Sequence, residues 1–216
     1  MKIGLVGNQN SGKTTLFNYL TGMTAKIGNW PGVTTEKKTG FIKNTDYELI
    51  DLPGIYSLSP YSMEEEISRK FIFDENPDVI INIVDSTAIE RSLYLTTQLL
   101  ELDCKVIVAL NMIDLLEKKG ISINIKSLEK ELGVKVVPIS ALKRHGIDKL
   151  VKEISKKETF DKPLVFEDRI EEASRKIVDE LGKLNHKRFI AINLLEEDDR
   201  FKKYKNSKIE KYVTDA

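Results

Sequence analysis

Nine residues, GNQNSGKTT at positions 7–15, stand directly behind the apolar run Ile3, Leu5 and Val6 and ahead of a helical pattern. From Gly7 to Thr14 they match G-x-x-x-x-G-K-[ST], and a strand before with a helix after is the context this motif requires. Its glycines let backbone N–H groups turn inward toward an anion, and the helix opening behind it adds the positive end of its dipole. The span Gly7, Asn8, Gln9, Asn10, Ser11, Gly12, Lys13, Thr14 and Thr15 therefore reads as a phosphate cradle. Within it Lys13 would reach the β- and γ-phosphates, and the Thr14 hydroxyl would bind Mg²⁺.

The rest of the chain fits such a beginning. Residues 2–7 read as a strand and 13–21 as a helix with Leu16, Tyr19 and Leu20 on one face. Residues 37–43 and 46–51 read as an antiparallel strand pair turning at Asn44, which would sit at one edge of a sheet. Strands follow at 78–84, 105–110 and 134–139, between helical patterns at 90–102 and 122–132 and one carrying Ile147, Leu150, Val151 and Ile154. Continuous Val and Ile runs mark strands buried on both faces. Their alternation with helices implies an α/β fold with a mainly parallel sheet.

Near residue 158 the pattern changes. ETFDKP, residues 158–163, reads as a linker, and beyond it only helical stripes recur: Ile170, Ala173, Ile177, Val178 and Leu181, then Phe189 to Leu195, then Phe201, Tyr204, Ile209 and Tyr212. Residues 1–157 are thus expected to form an α/β domain and 158–216 a small all-α domain, with a charged amphipathic tail as the alternative.

Composition narrows the class. Lys plus Arg equals Asp plus Glu at 34 each, so no basic excess points to nucleic acid. The lone cysteine, Cys104, fits a reducing compartment and reads as a small core residue. No apolar stretch approaches the about 20 residues of a membrane helix. With a strand at the very N-terminus, the expectation is a soluble, intracellular piece.

Three further motifs each follow a predicted strand. DLPG, residues 51–54, offers Asp51 to Mg²⁺ through water and the Gly54 N–H to a γ-phosphate. NMID, residues 111–114, ends the strand 105–110. Asp114 can accept from the N1–H and 2-amino groups of guanine, a donor pair that adenine lacks, so an unpaired carboxylate would penalise adenine. SAL, Ser140, Ala141 and Leu142, could bring a backbone N–H to the guanine O6. Four motifs in this order at strand carboxyl ends are where ligands bind in open α/β sheets.

These residues resemble the G1, G3, G4 and G5 motifs of the Ras-like P-loop GTP-binding domain over about residues 1–157. Met112 stands where many such proteins have the lysine of N-K-x-D, and Leu142 where S-A-K has its own. The loops GNWPGVTTE, residues 28–36, and DLPGIYSLSPYSMEEEISR, residues 51–69, are more specific. With the P-loop they resemble the cytosolic N-terminal region of the ferrous iron transport protein B (FeoB) family.

That resemblance implies GTP and GDP as substrate and product. It implies Mg²⁺ held by Thr14, Asp51 and Thr34, with Gly32 and Val33 beside Thr34 in switch I and Thr35 as the alternative ligand. Lys13, Thr34, Gly54 and Asn10 are the residues it implies for catalysis. It also implies a membrane transporter domain of the same polypeptide as partner, a place on the cytoplasmic side of the cell membrane, and a helical domain that favours the GDP-bound state. Oligomerisation of the full-length protein stays open.

Ile55 follows DLPG where Ras-like proteins carry a water-orienting glutamine, and no arginine finger, elsewhere worth roughly 10³–10⁵ in rate, is evident in the P-loop or switch I. Hydrolysis is therefore expected to be slow. Asn10 matches a potassium-activated group of GTPases to which FeoB proteins are assigned. By that pattern it would hold K⁺ with the carbonyls of Gly28 and Trp30, offsetting charge that develops in the transition state. The plainer alternative is that Asn10 braces the loop by hydrogen bonding. Ser62 and Glu65 have capping-box spacing and would start the next helix. Alternatives for the whole chain are a free-standing Era-like GTPase acting on RNA or ribosomes, and a nucleotide-gated module with negligible turnover. His145, His186 and Cys104 make no metal cluster, so no iron site is expected.

Overall fold

The computed structural model describes residues 1–59, 62–156 and 166–216. The chain divides into two compact units, Met1–Leu99 with Cys104–Lys162 and Leu100–Asp103 with Pro163–Ala216. The expected linker at 158–163 and the boundary at 157/158 lie outside the described residues.

In chain order the first unit runs β1 (Lys2–Gly7), α1 (Lys13–Thr21), β2 (Lys26–Asn29), β3 (Glu36–Phe41), β4 (Glu48–Asp51), α2 (Met63–Glu75) and β5 (Val79–Asp85). It continues α3 (Ile89–Leu100), β6 (Lys105–Asn111), α4 (Ile113–Lys118), α5 (Ile125–Leu132), β7 (Lys135–Pro138) and α6 (Ile147–Ile154). The strands form one sheet in the order β2-β3-β4-β1-β5-β6-β7. From β4 to β7 every pair is parallel, whereas β2 with β3 and β3 with β4 are antiparallel.

The central strands are apolar because both faces are covered. Alternate residues of β1 divide between them: Ile3 and Leu5 join Leu16, Phe17, Leu150 and Ile154 in one core, while a Cβ on Gly4 would face Phe71 and Ile80 on the other. In register, Leu5 faces Asp51, Gly7 faces Ile83 and Asp85 faces Asn111. Parallel pairing thus brings the loops after β1, β4, β6 and β7 to the same edge of the sheet.

The strand pair expected at one edge is not the edge. β4 pairs with β1 on its other side, and β2 closes the sheet beyond β3. β2 carries no sequence signal because all four of its residues are exposed. The helix read at 122–132 begins only at Ile125, where Asn124 accepts from the Ser127 N–H at 3.1 Å. The short α4 behind Met112 has too few turns to show a period. Cys104 is partly exposed rather than core. The capping box is present: Ser62 Oγ accepts from Glu65 N at 3.2 Å and Glu65 Oε2 from Ser62 N at 3.1 Å.

In the second unit, α7 (Asp168–Glu180), α8 (Lys187–Leu195) and α9 (Ser207–Asp215) pack together, with a 3-10 segment at Asp199–Tyr204. Ala173, Ile177, Leu181, Ile190, Leu194, Phe201 and Ile209 are buried. These residues form a packed helical body and not an amphipathic tail. Arg188 makes a bidentate pair with Glu171 at 2.8 and 3.0 Å and a second pair with Glu101. Hydrogen bonding to Glu171, first, and the charge of Glu101 raise the Arg188 pKa. A guanidinium fork can satisfy two carboxylates that would be costly to bury alone.

Candidate nucleotide-binding site

At the carboxyl edge of the parallel strands lies a cleft of about 680 Å³. Asn8, Gln9, Asn10, Gly12, Lys13, Thr14 and Thr15 line one end, Gly54 one side, and Asn111, Met112, Asp114, Leu115, Ser140, Ala141 and Leu142 the other end. Most residues expected at the site therefore meet in one place. Gly7 and Ser11 are buried parts of the cradle behind the lining, and Asp51 is joined to the cleft by its ion pair with Lys13.

The local backbone explains the sequence of the cradle. Gly12 has φ 90, and a Cβ there would stand 2.3 Å from Asn111 Nδ2. A Cβ on Gly7 would stand 2.4 Å from Ile83 Cγ2 on the adjacent strand. Asn10 has φ 63, a left-handed conformation that asparagine tolerates better than most residues. Its side chain is exposed at the rim and makes no hydrogen bond among the described residues, so bracing does not account for it here. Asn8 is 3% exposed, yet both polar atoms of its side chain lack a partner. Buried polar groups ordinarily find partners, so these atoms suit a polar ligand.

Lys13 and Asp51 form an ion pair with side-chain exposures of only 12% and 9%. The candidate phosphate lysine and the candidate Mg²⁺ carboxylate thus share one position, with the Thr14 hydroxyl on the next residue of the helix. A carboxylate and a hydroxyl are the hard oxygen donors that Mg²⁺ takes. Past Asp51, the Leu52 N–H reaches the Leu5 carbonyl and the Ile55 N–H the Gly7 carbonyl, each at 3.1 Å. These bonds press Gly54 onto the cradle, where a Cβ would meet Gln9 Cγ at 3.1 Å. They also turn Ile55 inward, where it is 1% exposed.

At the other end, Asp114 is 8% exposed. A hydrogen bond from the Ser140 hydroxyl, first, and the charge of Lys143 at 3.5 Å hold its carboxyl below the ordinary value. The carboxylate form needed to accept from guanine is therefore favoured. Met112 has φ 66, a strained conformation for a long side chain, and the chain turns there into α4.

Asn111 has a function the motif spacing did not show. Its Nδ2 donates to the Ser11 carbonyl at 2.8 Å and its Oδ1 accepts from the Ala141 N–H at 2.9 Å. One carboxamide thus ties the loop after β1 to the loop after β7.

The segment expected to be switch I lies elsewhere. None of residues 28–36 is among the cleft-lining residues, and Thr34 and Gly32 are exposed, with Val33 partly so. Gly28 lies in β2, and the Trp30 carbonyl accepts from the Val33 N–H at 3.2 Å. Among the described residues, no group of three or more His, Cys, Asp or Glu side chains is placed to hold a metal ion. No described helix is long and apolar enough to cross a membrane.

The sheet order, the cradle and the Asp114 end together define a Ras-like P-loop GTP-binding fold. The family model described as ferrous iron transport protein B matches residues 1–154, and this chain belongs to that family. Over 156 residues it is 49% identical to the Fe(2+) transporters FeoB of Escherichia coli K12 and Salmonella typhimurium. That match covers 69% of this chain and 20% of each relative, so the chain spans about a fifth of their length. Among solved structures it resembles S. thermophilus NFeoB bound to GDP.AlF4- and K+, at 44% identity and a TM-score of 0.87, covering 99% of this chain and 89% of that one. A GDP-bound point mutant of the S. thermophilus FeoB G-domain gives 44% identity and a TM-score of 0.91, covering 100% and 86%. The family match bears out the FeoB resemblance.

Proposed function

We propose that residues 1–157 are a G domain that binds GTP and hydrolyses it slowly, and that 158–216 are a helical domain favouring its GDP state, both serving a membrane ferrous iron transporter from the cytoplasmic side. The single observation that carries this reading is the one cleft in which the Lys13 end and the Asp114 end face each other across the Asn111 bridge.

In this mechanism Lys13 exchanges Asp51 for the β- and γ-phosphates. Asp51, through water, and the hydroxyls of Thr14 and Thr34 would hold Mg²⁺, whose charge would offset that of the phosphates. The Gly54 N–H meets the γ-phosphate, and Asp114 selects guanine. Ile55 is turned into the core, so the position that orients water in Ras-like proteins supplies no polar group. That supports slow turnover. GTP would draw switch I in through Thr34, and hydrolysis would release it.

Asn10 projects from the cradle with its carboxamide uncommitted, which supports a role for it in holding K⁺ together with the carbonyls of Gly28 and Trp30. The structurally similar NFeoB with bound K+ supports the same reading. The test is GTP hydrolysis in matched K⁺ and Na⁺ buffers. Asn10→Gly is the suitable variant, because alanine at φ 63 would add backbone strain. Stimulation by K⁺ that Asn10→Gly abolishes is expected; equal, slow rates in both salts would refute the cation's role.

A further inference from the structure

From residue 26 to residue 36, Trp30 is the only buried residue. It is also the only tryptophan in the chain. Every residue of β2 before it is exposed, and so are Pro31 and Gly32 after it. A loop with one deeply buried side chain is anchored by that side chain. Here the anchor is an indole, the largest apolar surface a single residue offers.

Its seat is on α2, the helix that follows DLPG. The indole meets the Phe71 ring edge-on, with centroids 5.8 Å apart and planes at 78°. Ile67 and Lys70 line the same hollow, and the Lys37 ammonium lies 4.7 Å from the indole centroid. The contact therefore joins the loop carrying Thr34 to the helix that opens at the Ser62 capping box. The seat is imperfect in one respect: the indole Nε1 is buried without a hydrogen-bond partner. An N–H so placed forfeits the bonds it would make in water, which weakens the seated arrangement. Directly beyond, Gly32 has φ 77 and open space where a Cβ would lie, so the loop has a pivot.

We infer that Trp30 is a latch on switch I: seated against Phe71 it holds Thr34 away from the cleft, and it must leave α2 for Thr34 to reach the nucleotide-bound metal. This rests on the nucleotide-switch reading above. A ring held by an edge contact, a cation and apolar burial, but carrying an unsatisfied N–H, is bound firmly enough to define the open state and weakly enough to be displaced.

The experiment excites the single indole selectively and titrates the protein with GDP or with guanylyl imidodiphosphate, each with Mg²⁺. With GDP the emission stays that of a buried indole and resists acrylamide. With the triphosphate analogue it shifts to the red and becomes quenchable. An indole that stays shielded in both complexes overturns the latch. In parallel, affinities for the N-methylanthraniloyl derivatives of both nucleotides are measured. Trp30→Ala raises the triphosphate-to-diphosphate affinity ratio about threefold to tenfold, the span of an edge-to-face aromatic contact. Trp30→Phe keeps a ring and drops the unpartnered N–H, so its ratio stays at or below that of the unaltered protein. Equal loss of both affinities in Trp30→Ala, or the same rise in both variants, rejects the latch. If the unaltered protein binds neither derivative, the nucleotide reading itself fails, an outcome distinct from a bound nucleotide beside an unmoved indole.

Discussion

Asn111 donates to the carbonyl of Ser11 at 2.8 Å, a hydrogen bond that joins two loops 100 residues apart in sequence. Because the same carboxamide accepts from the Ala141 N–H, the loops after β1, β6 and β7 all depend on it. Asn111→Ala would strand a carbonyl and an N–H in a buried place. Leaving buried partners unpaired costs about 1–3 kcal/mol each. We expect the first unit to lose stability on that scale in urea denaturation, and GDP affinity to fall with it. Unchanged affinity in a folded Asn111→Ala protein would show that the loops hold their places without this bridge.

Asp114 gives a prediction in base choice. Asp114→Asn replaces a pure acceptor by a group that also donates, which mismatches the two donors of guanine. GDP affinity should drop toward the roughly 10⁴-fold scale on which a site built for hydrogen bonding rejects a mismatch. Xanthosine diphosphate, with an oxygen where guanine has its amino group, should bind better to Asp114→Asn than to the parent. A variant that still prefers GDP would remove Asp114 from the base contact.

The same carboxyl sets a pH dependence. Its folded pKa is lowered, first by the Ser140 hydroxyl and then by Lys143. The contribution of a lowered carboxyl is fully present above its ordinary value, about 3.9, and is lost as pH falls through the folded value. GDP binding should therefore persist into acid beyond the range where a free aspartate protonates. In Ser140→Ala the acid limb of the binding curve should move to higher pH. An unmoved limb would mean that the hydroxyl is not what holds the carboxylate.

Lys105 offers a test away from the cleft. Its Nζ donates to the carbonyls of Glu153 at 2.6 Å, Ile154 at 3.3 Å and Lys156 at 2.5 Å, closing the end of α6. Helix ends leave their last carbonyls without intrahelical donors, and a charged donor there is worth about 1.5–3 kcal/mol. Lys105→Met, which keeps the apolar stem, should lower the urea midpoint accordingly while GDP affinity stays put. A fall in affinity of equal size would place α6 in communication with the cleft.

The sequence made the parallel core and the cradle legible because both follow strict local rules. β5 is a continuous apolar run since it is covered on both faces, and G-x-x-x-x-G-K-T is spelled by steric need at Gly7 and Gly12. The capping box at Ser62 was readable for the same reason. β2 was not, because an exposed edge strand needs neither alternation nor β-branched residues. The bridging by Asn111 was hidden because its partners lie far off in sequence, and no spacing rule reports a carboxamide that acts across 100 residues. Nor does composition reveal that Met112 and Asn10 take left-handed backbone.

The order of the sheet has one more consequence. β5 is hydrogen-bonded on both sides, by β1 and β6, whereas β2 is held only by β3, in a register of four residue pairs with no buried side chain among its own residues. Local openings follow such differences in burial and bonding. Amide protons of β5 would exchange with solvent only when the whole sheet comes apart. Those of β2 would exchange whenever this outer ribbon peels back, as a zipper does from its free end. The strand leading into the Trp30–Thr35 loop is thus the part of the sheet that gives way first, and that loop can change shape without disturbing the strands that carry the cradle.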